Sequence, residues 1–241
     1  MPTFTPDFSF EFTPDQAYDM FRLQAEANDM MSTDWRTSSN DEIAYYRAAV
    51  VEAFEAMTAY GYKWWKKETP NMDHVEMELI DILHFDMSDA LRQMYIDLAG
   101  DYSDLEARMR VAANDYFNVD RVSVFVPGRA DASFDELPFQ SFLDEYAKSL
   151  LSYQCGSFSH LALLFNKMGM SANLVYGMYM GKNGLNKFRA ANGQKEGRYN
   201  RQWYPDRDDN DCLMAYLNQC DSSGVPITEG GIMEFLTKAY N

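Results

Sequence analysis

The stretch from Asn71 to Gly100, NMDHVEMELIDILHFDMSDALRQMYIDLAG, contains no proline and no internal glycine, and its apolar residues recur at helical spacing. A run of that kind forms one long helix, stopped by the glycine at its end. Other segments follow the same period. Thr13 before Pro14 and Asp15 reads as an N-cap with proline at the first helical position. In AYDMFRLQAEANDMM the spacing predicts a face made of Met20, Leu23, Ala27 and Met30. After a polar break from Ser32 to Asn40, DEIAYYRAAVVEAFEAMTAYGY reads as a helix with acids at its start, where the helix dipole favours them, and Gly61 near its end.

Beyond residue 100 the pattern is less regular. Helices are expected over 102–117, 134–153 and 155–167, with RVSVFVPGRADASF between the first two as a short strand or a connection. Ser171 is expected to cap a further helix, NLVYGMYMGKNGLNKFRAANG. The tract QKEGRYNRQWYPDRDD reads as a loop, and NDCLMAYLNQCD as another helix. The first 12 residues read as an extended arm. No internal repeat or low-complexity linker interrupts the chain. The expectation is an all-α fold, a helical bundle in one domain over 1–241, with 101–153 as an inserted lobe.

Charge narrows the function. The chain carries 21 basic and 37 acidic residues, a formal charge of −16. Such a surface repels long nucleic acids and anionic membranes. A phosphate-bearing ligand would need metal ions and a few local cations to neutralise it. Cys155, Cys212 and Cys220 are odd in number and show no CxxC spacing, so free thiols in a reducing compartment are expected. The N-terminal residues lack the basic and apolar regions of a signal peptide, and no long apolar run is present, which points to a cytoplasmic protein.

Two helices carry acids three residues apart: Glu52 and Glu55 in VVEAFEAM, and Glu78 and Asp81 in MELIDILHF. Residues at i and i+3 share a helix face. Four carboxylates from two packed helices suit hard cations such as Mg²⁺. An acidic chain offers several such pairs by chance, most of them solvated. These stand among apolar neighbours (Val50, Val51, Phe54 and Met57; Leu79, Ile80, Ile82 and Leu83), where an acid is costly unless paired or metal-bound.

The order ExxE (Glu52, Glu55), YKWWKK, ELIDILHF and KNGLNKFRAANGQKEGRY resembles the dimeric all-α dUTPases, relatives of phage dCTPase-dUTPases and MazG-like pyrophosphohydrolases. The resemblance runs from LQAEAND near residue 24 to RDDN at 207–210. It implies an NTP pyrophosphohydrolase fold, a homodimer, and conversion of dUTP to dUMP and pyrophosphate, with dUDP as a second substrate. It also implies that Glu52, Glu55, Glu78 and Asp81 are ligands of two or three Mg²⁺ ions, with Mn²⁺ as a substitute, and that Glu52 is the general base. By the same resemblance Lys182, Arg189, Lys195 and Tyr199 bind phosphate, and Gln24 and Asn28 read uracil. Where the family reads GYKxGxY, this chain has Gly193, Gln194 and Lys195, without the aromatic. Trp65 offers a face for stacking on a base, and His84 and Asn186 offer hydrogen bonds to base or sugar. Each also has a plainer reading, as core residue or solvated loop. An amide exchanges donor and acceptor by flipping, so Gln24 and Asn28 alone do not separate uracil from cytosine. The alternatives are a dCTPase-dUTPase or other dNTP pyrophosphatase, a non-catalytic nucleotide-binding helical protein, and a di-iron carboxylate bundle. The last expects ExxH pairs where this chain has ExxD followed by His84.

Overall fold

A computed structural model describes residues 3–4, 10–124, 128–129 and 131–240, with only the backbone of Asp221. Most of the expected extended arm, and part of RVSVFVPGRADASF, lie outside the described residues. The chain forms two compact units, Met1–Ala172 and Asn173–Asn241. Nine helices and two small two-stranded ladders make up the described structure, so the fold is all-α.

In the first unit, α1 (Pro14–Met31) starts at a capping box. Thr13 Oγ1 accepts from the Gln16 backbone at 3.2 Å, and Gln16 Oε1 accepts from the Thr13 backbone at 2.9 Å. The helix α2 (Tyr45–Tyr60) begins later than its acid-rich lead suggests. Glu42 is occupied instead in the preceding turn, accepting from Ser39 N and Oγ at 2.8 and 3.0 Å. Gly61, at φ 81°, closes α2 in the left-handed region. The long run becomes α3 (Met72–Leu98), capped by Asn71; the left-handed turn starts at Ala99, one residue before the expected Gly100.

α3 is the axis of this unit. Leu79, Ile80, Ile82, Leu83, Met87 and Leu91 are buried on it. It packs most extensively on α2, and also on α1, α4 (Leu105–Tyr116) and α6 (Phe158–Lys167). Ala49, Ala53 and Ala56 form the buried face of α2, and such small side chains let helix axes approach closely. Between α4 and α6 lies α5 (Phe139–Tyr153), which packs on α2 and α6, while α4 packs on α1. Thr3–Phe4 (β1) pairs antiparallel with Val122–Ser123 (β2), so of the two readings left open for RVSVFVPGRADASF a short strand is present at its start. The fully buried Asp86 of α3 accepts a hydrogen bond from Tyr146 Oη at 2.5 Å. Gly156 sits so close that a Cβ there would meet the Asp86 carboxyl at 2.0 Å, which pins the α5–α6 turn to α3. Burial pushes the Asp86 carboxyl up to about 7.

The second unit holds α7 from residue 173 onward (Ala172–Ala191), α8 (Asp209–Ser223) and α9 (Glu229–Tyr240). Gly177 and Gly184 on α7 give room to neighbours: an added Cβ would lie 2.4 Å from Ile227 and 2.8 Å from Ile232. The tract expected to be a loop contains a hairpin, β3 (Gln202–Tyr204) with β4 (Arg207–Asp208). Its aromatics explain why it is ordered. Tyr199 stacks on Tyr240 at 5.1 Å between ring centres, and Phe188 and Trp203 pack edge-on or tilted around them.

Candidate active site

The α2–α3 packing brings the acidic pairs together. Carboxylate oxygens of Glu52, Glu55 and Glu78 lie within 4.8 Å of one another. Burial, then the charges of Asp81 and Glu78, a hydrogen bond with Glu78 and the charge of Glu55 push Glu52 up to about 8. Asp81 is not among the three acids whose oxygens lie that close together, but its charge also acts on Glu52. Taken alone the cluster is self-repelling. Oxygen-only donors of one sign at this spacing fit a hard divalent cation. The surroundings differ from expectation on α2, where Val51 and Phe54 are exposed; on α3 all four apolar neighbours, Leu79, Ile80, Ile82 and Leu83, are buried, and Glu78 and Asp81 between them are half-buried.

The buried face of α1 also differs from the expected apolar stripe. Met30 is exposed, while Gln24 and Asn28 are buried together with Met20 and Leu23. Burial of two amides is tolerated because α3 answers them. His84 Nδ1 lies 2.7 Å from Gln24 Oε1, and Gln24 Nε2 donates to Asn28 Oδ1 at 3.1 Å and to Ser88 Oγ at 2.9 Å. Glu78, Asp81, His84 and Ser88 follow one another along one side of α3, with the α2 acids at one end and the α1 amides at the other. Ser88 was not foreseen. A lone serine one turn after His84 in a buried helix is the signal that could have found it.

Trp65 lies in the turn after α2, 55% exposed, with Trp64 at 89%, so neither is a core residue. Trp65 meets Tyr62 and Trp64 edge-on, at 5.9 and 5.7 Å between ring centres.

In the second unit Arg189 and Tyr199 meet on a residue that the sequence reading passed over. Asp209, fully buried at the start of α8, accepts from Arg189 Nε at 2.7 Å and Nη2 at 2.8 Å. Tyr199 Oη donates to the same carboxylate at 2.9 Å. Asn186 accepts from Arg189 Nη1 at 3.1 Å, and Asn210 accepts from Arg189 Nη2 at 3.0 Å and Lys182 Nζ at 3.3 Å. Burial drives Asp209 up, but the Arg189 hydrogen bonds and charge, the Tyr199 hydroxyl and the charge of Arg201 outweigh it and hold the carboxyl below its ordinary range. Lys195 is exposed on the turn after α7. The clue to Asp209 was an acid in RDDN, where a charged loop turns into a helix.

All three cysteines are free thiols, and no described helix is long and apolar enough to cross a membrane. The sequence profile of a family described as dUTPase matches residues 16–194, well over half of the chain. The match takes in every candidate from Gln24 to Arg189 and stops just before Lys195 and Tyr199. Among curated proteins no match is found.

Proposed function

The chain belongs to the dUTPase family as an all-α, dUTP-hydrolysing enzyme, and from that premise we propose how its residues divide the work. Water attacks the phosphate chain, dUTP leaves as dUMP and pyrophosphate, and dUDP serves as a second substrate. The observation that carries this reading is the row of Glu78, Asp81, His84 and Ser88 along α3. From Glu78 to Ser88 the helix rises about 15 Å, a span comparable with an extended nucleotide, and its two ends differ in chemistry as a base and a phosphate chain do.

A divalent cation such as Mg²⁺, held by Glu52, Glu55, Glu78 and Asp81, would supply charge neutralisation for the phosphates and a more acidic water. Glu52 stands beside the other three acids and would take the proton of the attacking water; a carboxylate of ordinary basicity suffices once a cation has made that water more acidic. Gln24 and Asn28 read the uracil, with His84 holding Gln24, and Trp65 stacks on the ring. In the second unit Lys182, Arg189, Lys195 and Tyr199 bind phosphate, and Asn186 contacts the sugar; Asp209 fixes Arg189 in one rotamer. Supporting the dUTP reading is the matched family profile, which spans the acids and both amides.

Purified protein given dUTP and Mg²⁺ should release dUMP and pyrophosphate, and Asp81→Asn should reduce kcat on the order of a hundredfold or more. Orthophosphate as the product, or full turnover in excess EDTA, would sink the reading. We further propose a homodimer, because Val51, Phe54, Trp64 and Trp65 leave apolar surface exposed on and just after α2. Light scattering should give about twice the chain mass of 27.8 kDa; a value at the chain mass would contradict it.

A further inference from the structure

Four side chains form one buried network between α1 and α3. Gln24 and Asn28 stand one turn apart on α1, and His84 and Ser88 one turn apart on α3. Beyond the bonds from Gln24 and His84 already described, Ser88 Oγ lies 3.0 Å from Asn28 Oδ1 and 2.8 Å from the His84 carbonyl. Its single proton serves those two acceptors, while its lone pairs accept from Gln24. Asn28 Oδ1 thus receives both Gln24 and Ser88. The other half of the same amide, Nδ2, is buried and makes no hydrogen bond among the described residues. Asn28 is 2% exposed and Ser88 1%, so this donor is not there to meet bulk water. A buried N–H that its own protein leaves unanswered is suited to an incoming acceptor.

An isolated asparagine carries no preference for donor or acceptor, because a flip exchanges them. Here neither amide can flip alone, because each faces the other. Turning Asn28 would set its NH₂ against the NH₂ of Gln24. Gln24 would then have to turn as well, and its NH₂ would meet His84 Nδ1 in place of its oxygen. That reversed arrangement requires the imidazole to move its proton to Nε2. With the proton on Nδ1, every bond runs in one direction and Asn28 presents NH₂. Ser88 is the member that touches both amides and also anchors to α3 through the His84 carbonyl.

We propose that Ser88 is a specificity-determining positioning residue: bridging Gln24 and Asn28, it locks Asn28 with Nδ2 as donor, which favours a pyrimidine bearing a carbonyl at position 4 over one bearing an amine. This rests on the reading of Asn28 as a base contact. Uracil meets the donor with an acceptor, whereas cytosine brings a second donor and leaves two N–H groups facing each other. Ser88 itself touches no substrate; its effect is carried by the amides.

The test is the ratio of kcat/KM for dUTP to that for dCTP, measured with Mg²⁺ on wild type, Ser88→Ala, Ser88→Cys, Ser88→Thr and Asn28→Ala. Wild type should prefer dUTP. Ser88→Ala should lower the ratio at least about tenfold, chiefly through KM, because a site built on hydrogen bonds discriminates by leaving wrong partners unpaired. Ser88→Cys, which keeps the volume and weakens the bonds, should behave as Ala does and stands in for it if Ala does not fold. Ser88→Thr keeps the hydroxyl and should restore most of the ratio. A purely structural Ser88 would change melting temperature and leave the ratio alone. An unchanged ratio in Ser88→Ala and Ser88→Cys, with the ratio lost in Asn28→Ala, overturns the role of Ser88 and leaves Asn28 as a base contact. A wild-type ratio retained in Asn28→Ala overturns the base contact itself, and a wild-type ratio near one overturns the locked donor.

Discussion

The two polar clusters, one in each unit, are built on opposite principles. Around Asp209 the protein answers itself: one buried carboxylate is matched by the forked guanidinium of Arg189, by the Tyr199 hydroxyl and by the nearby charge of Arg201. Around Glu52 it does the reverse, gathering Glu55, Glu78 and Asp81 so that their charges oppose ionisation of a half-buried acid. A self-compensated cluster holds a fold together, since its members are worth most to one another. A cluster of one sign costs stability on its own and recovers it from something positive brought from outside. The difference separates a cluster complete in itself, which holds Arg189 and Tyr199 in fixed positions, from one that calls for a cation, even where both look equally charged in the sequence.

Substitution should therefore act with opposite sign in the two places. Asp209→Ala leaves a buried guanidinium without its carboxylate, and removing one partner of a buried pair costs about 3–5 kcal/mol. That is the largest stability effect expected here, and urea denaturation measures it directly. Glu52→Gln should instead leave the chelated protein as stable as wild type or more so, because it removes a charge that three neighbours oppose. Equal destabilisation by both changes would erase the contrast.

Acidity sharpens the comparison in a smaller way. Glu52, raised to about 8, and Asp86, raised to about 7 by burial, bind protons in the folded state at pH values where the unfolded chain has lost them. Stability of the chelated protein should then fall as pH rises from the ordinary carboxylate range through those values. Asp209 runs the other way: its depressed carboxyl contributes above the ordinary range, and that contribution disappears only as pH falls through its lowered value. Asp86 passes through its value first, so above pH 8 most of the remaining slope belongs to Glu52, and Glu52→Gln should flatten it. An identical slope in wild type and Glu52→Gln would show that the acids are not coupled as described.

The helices and the acid pairs were readable because periodicity and i, i+3 spacing are local properties. Thr13, Asn71 and Gly61 stop and start helices by interactions within a few residues, and the sequence displays them. What stayed hidden is what depends on a partner far along the chain. The buried face of α1 passes through Gln24 and Asn28, against hydropathy, because Ser88 and His84 answer them from α3. Val51 and Phe54 look like core residues, yet α2 buries Ala49, Ala53 and Ala56 instead. Arg189 and Tyr199 were legible as a basic tract, but their shared attachment to Asp209 was not, since one acid among RDDN looks like any other. The hairpin at 202–208 escaped for the same reason, its order coming from Tyr240 and Phe188 rather than from its own composition.

The claim on which the rest depends is that the acids of α2 and α3 are poised for a cation. The most direct measurement is the melting temperature at pH 8 with and without Mg²⁺, in wild type and in Glu52→Gln. Binding to the folded state alone stabilises it, by about 2.7 kcal/mol at a hundred times the dissociation constant. Wild type should therefore melt several degrees higher with Mg²⁺, and Glu52→Gln should lose most of that rise while its chelated form melts no lower than wild type. A wild-type melting temperature indifferent to Mg²⁺, or an equal rise in Glu52→Gln, would contradict the account.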